Sequence, residues 1–538
     1  MDAAPRGLAW LKAGTRDYRR ILSGMHDYLR TPRAAGWESA IQDGLANRES
    51  RFLETLRRGV FAHPEHPYTK MFRLAGCGYG DLEEAVWRDG LEAALEALHR
   101  QGVWLSHNEF KGGETIVRSG ERISSTTGSF ANPLVEGKTE SISGGSRSKG
   151  TRTRISTAQR IHEEAYHLLN NLEFDLANRC HIMVRPILPS NTAMYQCLRQ
   201  LRLGGRVDRW FSISGLRDDS AHYRIAVNTC VVMARGFRLA VPFPIYLPPN
   251  DFAPVAEWIA RRRSEGVDCA IWSTVSTAVR VAEAALEKNL DIQRALFLTG
   301  DETLTAAKRA RVEATGARIY TRYVTTELGP IGFACSQMQG NRVHLFRDSV
   351  AVIAHRRPAP FSGAEVSSLL FTTVTPWAPY IFINVEMDDC GIVEPAVCKC
   401  AFTAAGFTGQ IRDVYSFGKL TGQGMTLVGS DVLRVLEEAL PRRVGGGPGD
   451  YQLVEREGSS QTRLELRVSP RVKLASTAAV GECFLEEVRK IYGGSLAASV
   501  WKHTEGVEVV SAEPLVTPAG KVLPLHLLGP GRESSHAS

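Results

Sequence analysis

This 538-residue chain is defined first by what it lacks. No run approaches 18 consecutive apolar residues, so no helical membrane span is expected. The first twenty residues carry Asp2, Arg6, Lys12, Arg16, Asp17, Arg19 and Arg20 around no apolar core, so no secretory signal is expected either. Basic residues are not run together with interleaved aromatics, which removes the usual footprint of a nucleic-acid-binding protein. Cysteine is scarce. The ten present lie mostly inside apolar runs, a usage that fits a reducing cytoplasm and not a disulfide framework. The Gly-rich basic stretch near residue 145 lacks the G-K-[ST] of a Walker loop.

What is present is an ordinary globular composition, 43% hydrophobic and 23% charged, in a chain too long for one core. Two or three domains are expected. The 65 basic residues exceed the 58 acidic ones, for a net charge of +7, a balance that suits anionic ligands such as nucleotides.

Residues 1–130 read as polar and helical, with helices over 17–29, 37–56 and 82–98. The last of these sets Leu82, Val86, Leu91, Ala94, Leu95 and Leu98 on one face and closes at Gly102. Residues 108–113 read as a turn and Val117-Arg118 as the start of a strand. The segment shows no chemistry; it is expected to be a helical subdomain that packs on the main domain or on a twin subunit, which leaves a homodimer open.

Between 159 and 323, helical patterns alternate with short apolar strands at 181–186, 237–242, 268–273, 295–298 and 318–323. Helices at 255–264 and 277–288 lie between them. This alternation predicts a mostly parallel sheet with helices on both faces, and the ligand site of such a sheet lies at the carboxyl ends of its strands. Trp210-Phe211 read as core, with a place in a substrate pocket as the alternative. A hairpin at Gly340-Asn341 opens an antiparallel region with strands at 369–374 and 379–385. From residue 416 a Gly-rich polar stretch precedes a helix at 432–440, paired strands at 451–455 and 463–468, and a helix at 481–492. The expected fold class is therefore α/β. A large N-terminal domain has mostly parallel sheets flanked by helices plus an antiparallel region (131–415), followed by a small mobile C-terminal α+β domain (416–538).

The stretch 321–344, TRYVTTELGPIGFACSQMQGNRVH, carries the most chemistry. At a strand end, the Tyr323 ring can stack on a base, the Thr325 and Thr326 hydroxyls can bond a phosphate, and Glu327 can hold Mg²⁺. Residues 138–158 are either a linker or a phosphate loop. In the second reading glycines admit an anion close to the backbone, Ser143, Ser146 and Ser148 add hydroxyls, and Lys149, Arg152 and Arg154 add charge. Cys335, His344, Cys398 and Cys400 make a C-x8-H pattern followed, after 53 intervening residues, by C-x-C. Zn²⁺ takes four such ligands tetrahedrally, while simple burial of small apolar thiols is the other reading; Cys390 is a spare candidate.

In order along the chain, the stretch SGGSRSKGTRTR at 143–154, Gly300-Asp301-Glu302, YVTTE at 323–327, Asp388-Asp389 and Gly520-Lys521 resemble the adenylate-forming ligases, nearest the phenylacetate–CoA ligase and acyl-protein synthetase branch. The resemblance spans about residues 132–528. It implies ATP with Mg²⁺, a small carboxylic acid as substrate, and CoA or the phosphopantetheine of a carrier protein as acceptor. Ser143, Gly145, Ser146 and Lys149 would cover the triphosphate, although Ser148 stands where glycine is usual and Gly150 where proline is. Gly300 and Glu302 match the adenine-side loop, Tyr323 the stacking aromatic, and Asp389 the ribose-binding aspartate. Asn384 and Asp388 replace the usual arginine and glycine of that last motif. Lys419 matches the hinge basic residue only loosely, because the acidic hinge pair is replaced by Gly422-Gln423. Lys521 would serve adenylation beside Thr326 and Glu327. In some relatives the C…H…C-x-C pattern is a structural zinc site. Other outcomes are an acyl-protein synthetase, an amide-forming ligase and a non-catalytic nucleotide-binding protein on the same fold.

Overall fold

The computed structural model describes residues 19–33, 36–137, 139–142, 152–188, 190–213, 221–248, 251–358, 365–416, 420–422, 425–427, 429–457, 462–491, 498, 501–502, 507–517 and 520–528. The phosphate-loop candidates Ser143, Gly145, Ser146 and Lys149, and the hinge candidate Lys419, lie outside them. Among the described residues no helix is long and apolar enough to cross a membrane.

The strand Arg318–Thr325 is the seam of a twelve-stranded sheet. On one side it runs parallel to Leu296–Gly300, and the parallel set continues through Cys269–Thr274, Cys180–Val184, Val207–Ser212 and Pro244–Tyr246. On the other side every neighbour is antiparallel: Gly329–Phe333, Arg342–Leu345, Gly409–Ser416, Val385–Pro395, Glu365–Thr373 and Val350–Pro358. The expected parallel sheet and antiparallel region are therefore two halves of one sheet.

Alternation along the parallel strands puts side chains into two separate cores. Met183, Trp272, Leu298 and Tyr320 point to one face, beneath the helices Thr157–Glu173 and Thr192–Arg202. Ile182, Ile271, Phe297 and Ile319 point to the other, beneath Ala253–Ser264 and Val275–Glu287. Helices thus cover both faces, as the pattern predicts.

Several sequence expectations need correction. The strand expected at 237–242 is the run-out of the helix Ala221–Gly236, which ends at Arg238 with φ 62. The edge strand is Pro244–Tyr246, and the strand Val207–Ser212 went unrecognised because its core residues Trp210 and Phe211 read as an isolated aromatic pair. The single helix expected over 82–98 is two, Tyr79–Asp89 and Leu91–Arg100, because Gly90 at φ 87 breaks the helical path. The turn expected at 108–113 is mostly a helix, His107–Lys111, started by a capping box in which Ser106 and Glu109 bond each other's backbone N–H. The strand expected at 379–385 is irregular until Val385; the strand Val385–Pro395 itself carries Asp388 and Asp389. Asn384, at φ 52 and fully buried, spends its amide on the Leu95 and Val103 carbonyls at 2.8 and 3.2 Å and so leaves the ladder.

The N-terminal helices do not form a core of their own. Phe52, Tyr68, Leu95 and Phe110 share one with Ile331, Val343, Phe371 and Ile411 of the antiparallel half-sheet. The C-terminal part has a separate core around Leu453, Leu466, Phe484 and Trp501, and a four-stranded sheet in which Tyr451–Glu457 and Thr462–Val468 pair antiparallel as expected.

Candidate functional site

The parallel half-sheet winds in two directions. From Cys180–Val184 the chain moves outward through Val207–Ser212 to Pro244–Tyr246, and from Cys269–Thr274 it moves the other way through Leu296–Gly300 to Arg318–Thr325. The crevice between the carboxyl ends of Cys180–Val184 and Cys269–Thr274 is thus a topological switch point, where open α/β sheets bind their ligands. Arg185, the first residue past one of these strands, bridges the crevice: one guanidinium nitrogen donates to the Ser273 carbonyl at 2.7 Å and another pairs with Asp301.

The turn that carries Lys521 is seated in this crevice. Thr274 Oγ1 donates to the Gly520 carbonyl at 3.2 Å, and the Val522 N–H donates to Glu302 Oε1 at 3.0 Å. The position of a Cβ on Gly520 would lie 2.8 Å from Ile213 and 3.7 Å from Pro186, so the turn also touches the chain just past Val207–Ser212 and Cys180–Val184. The charge of Lys521 reaches Asp301. Burial alone would raise that carboxyl, but Arg185, Lys521 and Arg322 hold it well below the usual range. Glu302 uses both oxygens on the protein: Ser276 donates from Oγ at 2.8 Å and from its backbone N–H at 2.6 Å. It ties the loop after Gly300 to the Lys521 turn and leaves the face of that loop to its backbone.

At the seam, Tyr323 and Asp389 meet. They are far apart in sequence, yet the Tyr323 hydroxyl donates to Asp389 Oδ2 at 2.5 Å. Burial and then the Asp389 charge push the phenol well above its usual pKa, so it stays the donor. A register shift between Tyr323 and Val324, of the kind that re-aims a side chain, lies at this point of the strand. The Tyr323 ring meets Phe371 edge-on at 6.1 Å between centroids.

Beyond Tyr323 the chain turns through Thr326 and Glu327 into Gly329. Thr325 Oγ1 accepts the Leu328 N–H at 3.1 Å and holds this turn. Gly329 adopts φ 81, and a Cβ there would lie 2.6 Å from Gln159 Nε2, so no other residue fits without displacement. Glu327 is 4% exposed and pairs with Lys111 Nζ at 2.7 Å. The same short helix brings His107 within 3.4 Å of Asp388. The N-terminal segment, which shows no chemistry in the sequence, therefore supplies a cation to the candidate site. Only the S-x-x-E capping signal at Ser106–Glu109 marks that helix in the sequence.

The four metal-ligand candidates come together. Their ligand atoms all lie within 4.8 Å of one another, with Cys335 Sγ–Cys398 Sγ 3.7 Å and Cys398 Sγ–Cys400 Sγ 3.8 Å. A tetrahedron with Zn–S of about 2.3 Å has S–S edges of about 3.8 Å. His344 Nε2 faces Cys398 and Cys400 at 3.3 and 3.2 Å, while its Nδ1 lies 2.9 Å from the Phe407 carbonyl. A proton on Nδ1 donated to that carbonyl leaves Nε2 free to ligate, the usual arrangement behind a metal-bound imidazole. Hydrogen bonding from Cys335, helped by His344, lowers the Cys400 thiol from its usual range. The donor set and its spacing fit a tetrahedral zinc. Cys390 lies in a different cluster, with Val366 and Tyr415.

No known family model matches the chain, and no curated protein matches it. Among solved structures it is similar to a 2-hydroxyisobutyryl-CoA ligase in its postadenylation state (16% identity, 92% of this chain and 90% of that one, TM-score 0.48). It is also similar to ATP-bound MatB from Rhodopseudomonas palustris (12%, 81% and 72%, 0.40). A further similarity is to acetoacetyl-CoA synthetase from Streptomyces lividans (13%, 74% and 53%, 0.37).

Proposed function

We propose that the chain is an AMP-forming acid–thiol ligase of the phenylacetate–CoA ligase type. The observation that carries this reading is the seating of the Lys521 turn in the switch-point crevice, bonded to Thr274 and Glu302 and electrostatically joined to Asp301. A lysine delivered by a separate C-terminal domain to an anion-binding strand end suits the attack of one anion on another.

In the first half-reaction a carboxylate oxygen bonds to the α-phosphorus of ATP while the bond to the β-phosphate oxygen breaks, giving acyl-AMP and pyrophosphate. Lys521 offsets the repulsion between carboxylate and phosphate. Glu327, oriented by Lys111, would hold Mg²⁺, which when bound neutralises phosphate charge. Thr326 offers a hydroxyl to phosphate oxygen, Tyr323 lies on the adenine side next to the backbone of Gly300, and Asp389 takes the ribose hydroxyls. By the resemblance, Ser143, Gly145, Ser146 and Lys149 would cover the triphosphate and Lys419 would be the basic residue of the hinge. In the second half-reaction the thiol of CoA, or of a carrier protein's phosphopantetheine, bonds to the acyl carbon and AMP leaves. The zinc held by Cys335, His344, Cys398 and Cys400 is structural.

Acid-dependent exchange of pyrophosphate into ATP, run over a panel of carboxylic acids, tests the reading. Exchange with some acids is the expected result. ATP binding without exchange for any acid would make the chain a non-catalytic nucleotide-binding protein instead.

A further inference from the structure

On the core face of the helix Thr157–Glu173 the protein buries more positive charge than it pairs. Arg160, Arg185 and Arg199 are 5, 6 and 8% exposed, and Arg322 lies beside them on the seam strand. Arg185 is answered by Asp301, and Arg199 by Glu163 at 2.7 Å. Among the described residues Arg160 and Arg322 are in no close ion pair, although the charge of Glu163 reaches Arg160 and that of Asp301 reaches Arg322. Glu164 gives Oε1 to Arg202 at 2.7 Å and keeps Oε2 buried without a partner, and His167 is held neutral by burial. With Arg202 counted, five guanidinium groups therefore face three carboxylates, Glu163, Glu164 and Asp301.

The hydrogen bonds are as unbalanced as the charges. Arg160 Nε and Nη2, Arg199 Nε and Arg322 Nε are buried without an acceptor. Arg160 instead lies 3.4 Å over the ring of Tyr195, and Arg322 lies 4.7 Å over that of Trp272. Ring faces attract a cation but accept none of its in-plane N–H bonds, which carboxylates take two at a time. Burial, with Arg199, disfavours the charge on Arg160 against Tyr195 and Glu163, while burial, Arg185 and Arg199 outweigh Asp301 and bring Arg322 down to about 9. Buried donors left without an acceptor call for a water or an ion to complete them, and surplus positive charge favours an anion.

The cluster adjoins the place where the acid reacts. Gln159 and Glu163 on the same helix lie 2.6 and 3.0 Å from a Cβ placed on Gly329, two residues past Glu327. Arg322 stands opposite Gly300 in the sheet register.

We infer that the acid activated here carries a second carboxylate, received by the unpartnered guanidinium donors of Arg160, Arg199 and Arg322 while the first is presented to Lys521. This rests on the ligase reading. A monocarboxylic acid with an apolar tail would leave those donors facing hydrocarbon, which a site built this way rejects.

The test compares succinate, glutarate and adipate with their mono-amides in pyrophosphate exchange, for the wild type and for Arg160→Met, which keeps the stem over Tyr195. Exchange is expected to favour a diacid over its mono-amide by about 10–100-fold in kcat/KM. Arg160→Met should erase that preference through KM for the acid, with KM for ATP and the urea midpoint little changed. Arg160→Lys should restore it in part. Exchange with equal or better use of the mono-amides, or a preference that survives Arg160→Met, overturns the inference and leaves the ligase intact. No exchange with any acid overturns the ligase reading itself. Calorimetric titration with glutarate then decides the site alone: binding lost in Arg160→Met upholds an anion site, and no binding to the wild type removes it.

Discussion

Glu327 shows how much of this site depends on one pairing. Its carboxylate is buried, and Lys111 Nζ at 2.7 Å both compensates and orients it. Glu327→Gln keeps the shape and removes the charge, so ATP binding should persist while acyl-AMP formation falls about 10²–10³-fold in a single-turnover assay. An unaltered rate takes Glu327 out of the mechanism. Lys111→Met tests the same pair from the other side. It leaves a buried carboxylate alone and should cost about 3–5 kcal/mol in urea unfolding. Combining it with Glu327→Gln should recover part of that loss, and a purely additive double variant would show that the two residues do not interact.

Individual elements are pinned by contacts distant in sequence. The strand Arg342–Leu345 brings His344 to the loop bearing Cys398 and Cys400, so a zinc there would staple a hairpin to a segment more than fifty residues away. Metal analysis should find about one zinc per chain, and its removal by a chelator should lower the melting temperature. A folded, metal-free protein with unchanged melting would refute the assignment. The helix Leu91–Arg100 is held differently. Glu92 bonds Arg48 at 2.8 and 3.0 Å and Arg347 at 3.1 Å. Burial works against its charge, but the Arg48 hydrogen bonds prevail and bring the carboxyl down to about 2. Because the folded value lies below the ordinary one of about 4.5, the stabilisation is complete above that pH and fades as pH falls toward about 2. Glu92→Gln should therefore cost about 1–3 kcal/mol at pH 7 and much less near pH 2. Equal losses at both pH values would mean that packing, not charge, is what the variant removes.

At the scale of the whole molecule, the C-terminal domain is docked by charge. Glu437 pairs with Lys308 at 2.7 Å, both nearly buried, and Arg471 pairs with Glu283 at 2.8 Å. Together with the Gly520 and Val522 bonds, these contacts hold Lys521 in the crevice. If thiol transfer uses a rotated C-terminal domain, they must open for it, and Lys521 leaves the site. Lys521→Ala should then fail to make acyl-AMP from acid and ATP, by about 10²–10³-fold, yet transfer the acyl group from synthetic acyl-AMP to the thiol at the normal rate. Equal slowing in both assays would make Lys521 structural or shared between the two states.

The sequence by itself determined the elements whose signal is local. Short continuous apolar runs specified most parallel strands, because such strands are buried on both faces, and helical periodicity specified the helices over the sheet. The spacing of Cys335, His344, Cys398 and Cys400 anticipated their convergence, since few arrangements serve both a C-x-C loop and a distant histidine. The tertiary structure alone decided the rest. It joined Tyr323 to Asp389 beside a register shift that leaves no trace in composition. It also brought Lys111 to Glu327 across 216 positions, from a helix short enough to read as a turn. The arginines at 160, 185, 199 and 322 look like solvated charges in the sequence. Their burial follows from how two helices lie on one face of the sheet, and helical periodicity says which residues share a face but not what that face meets.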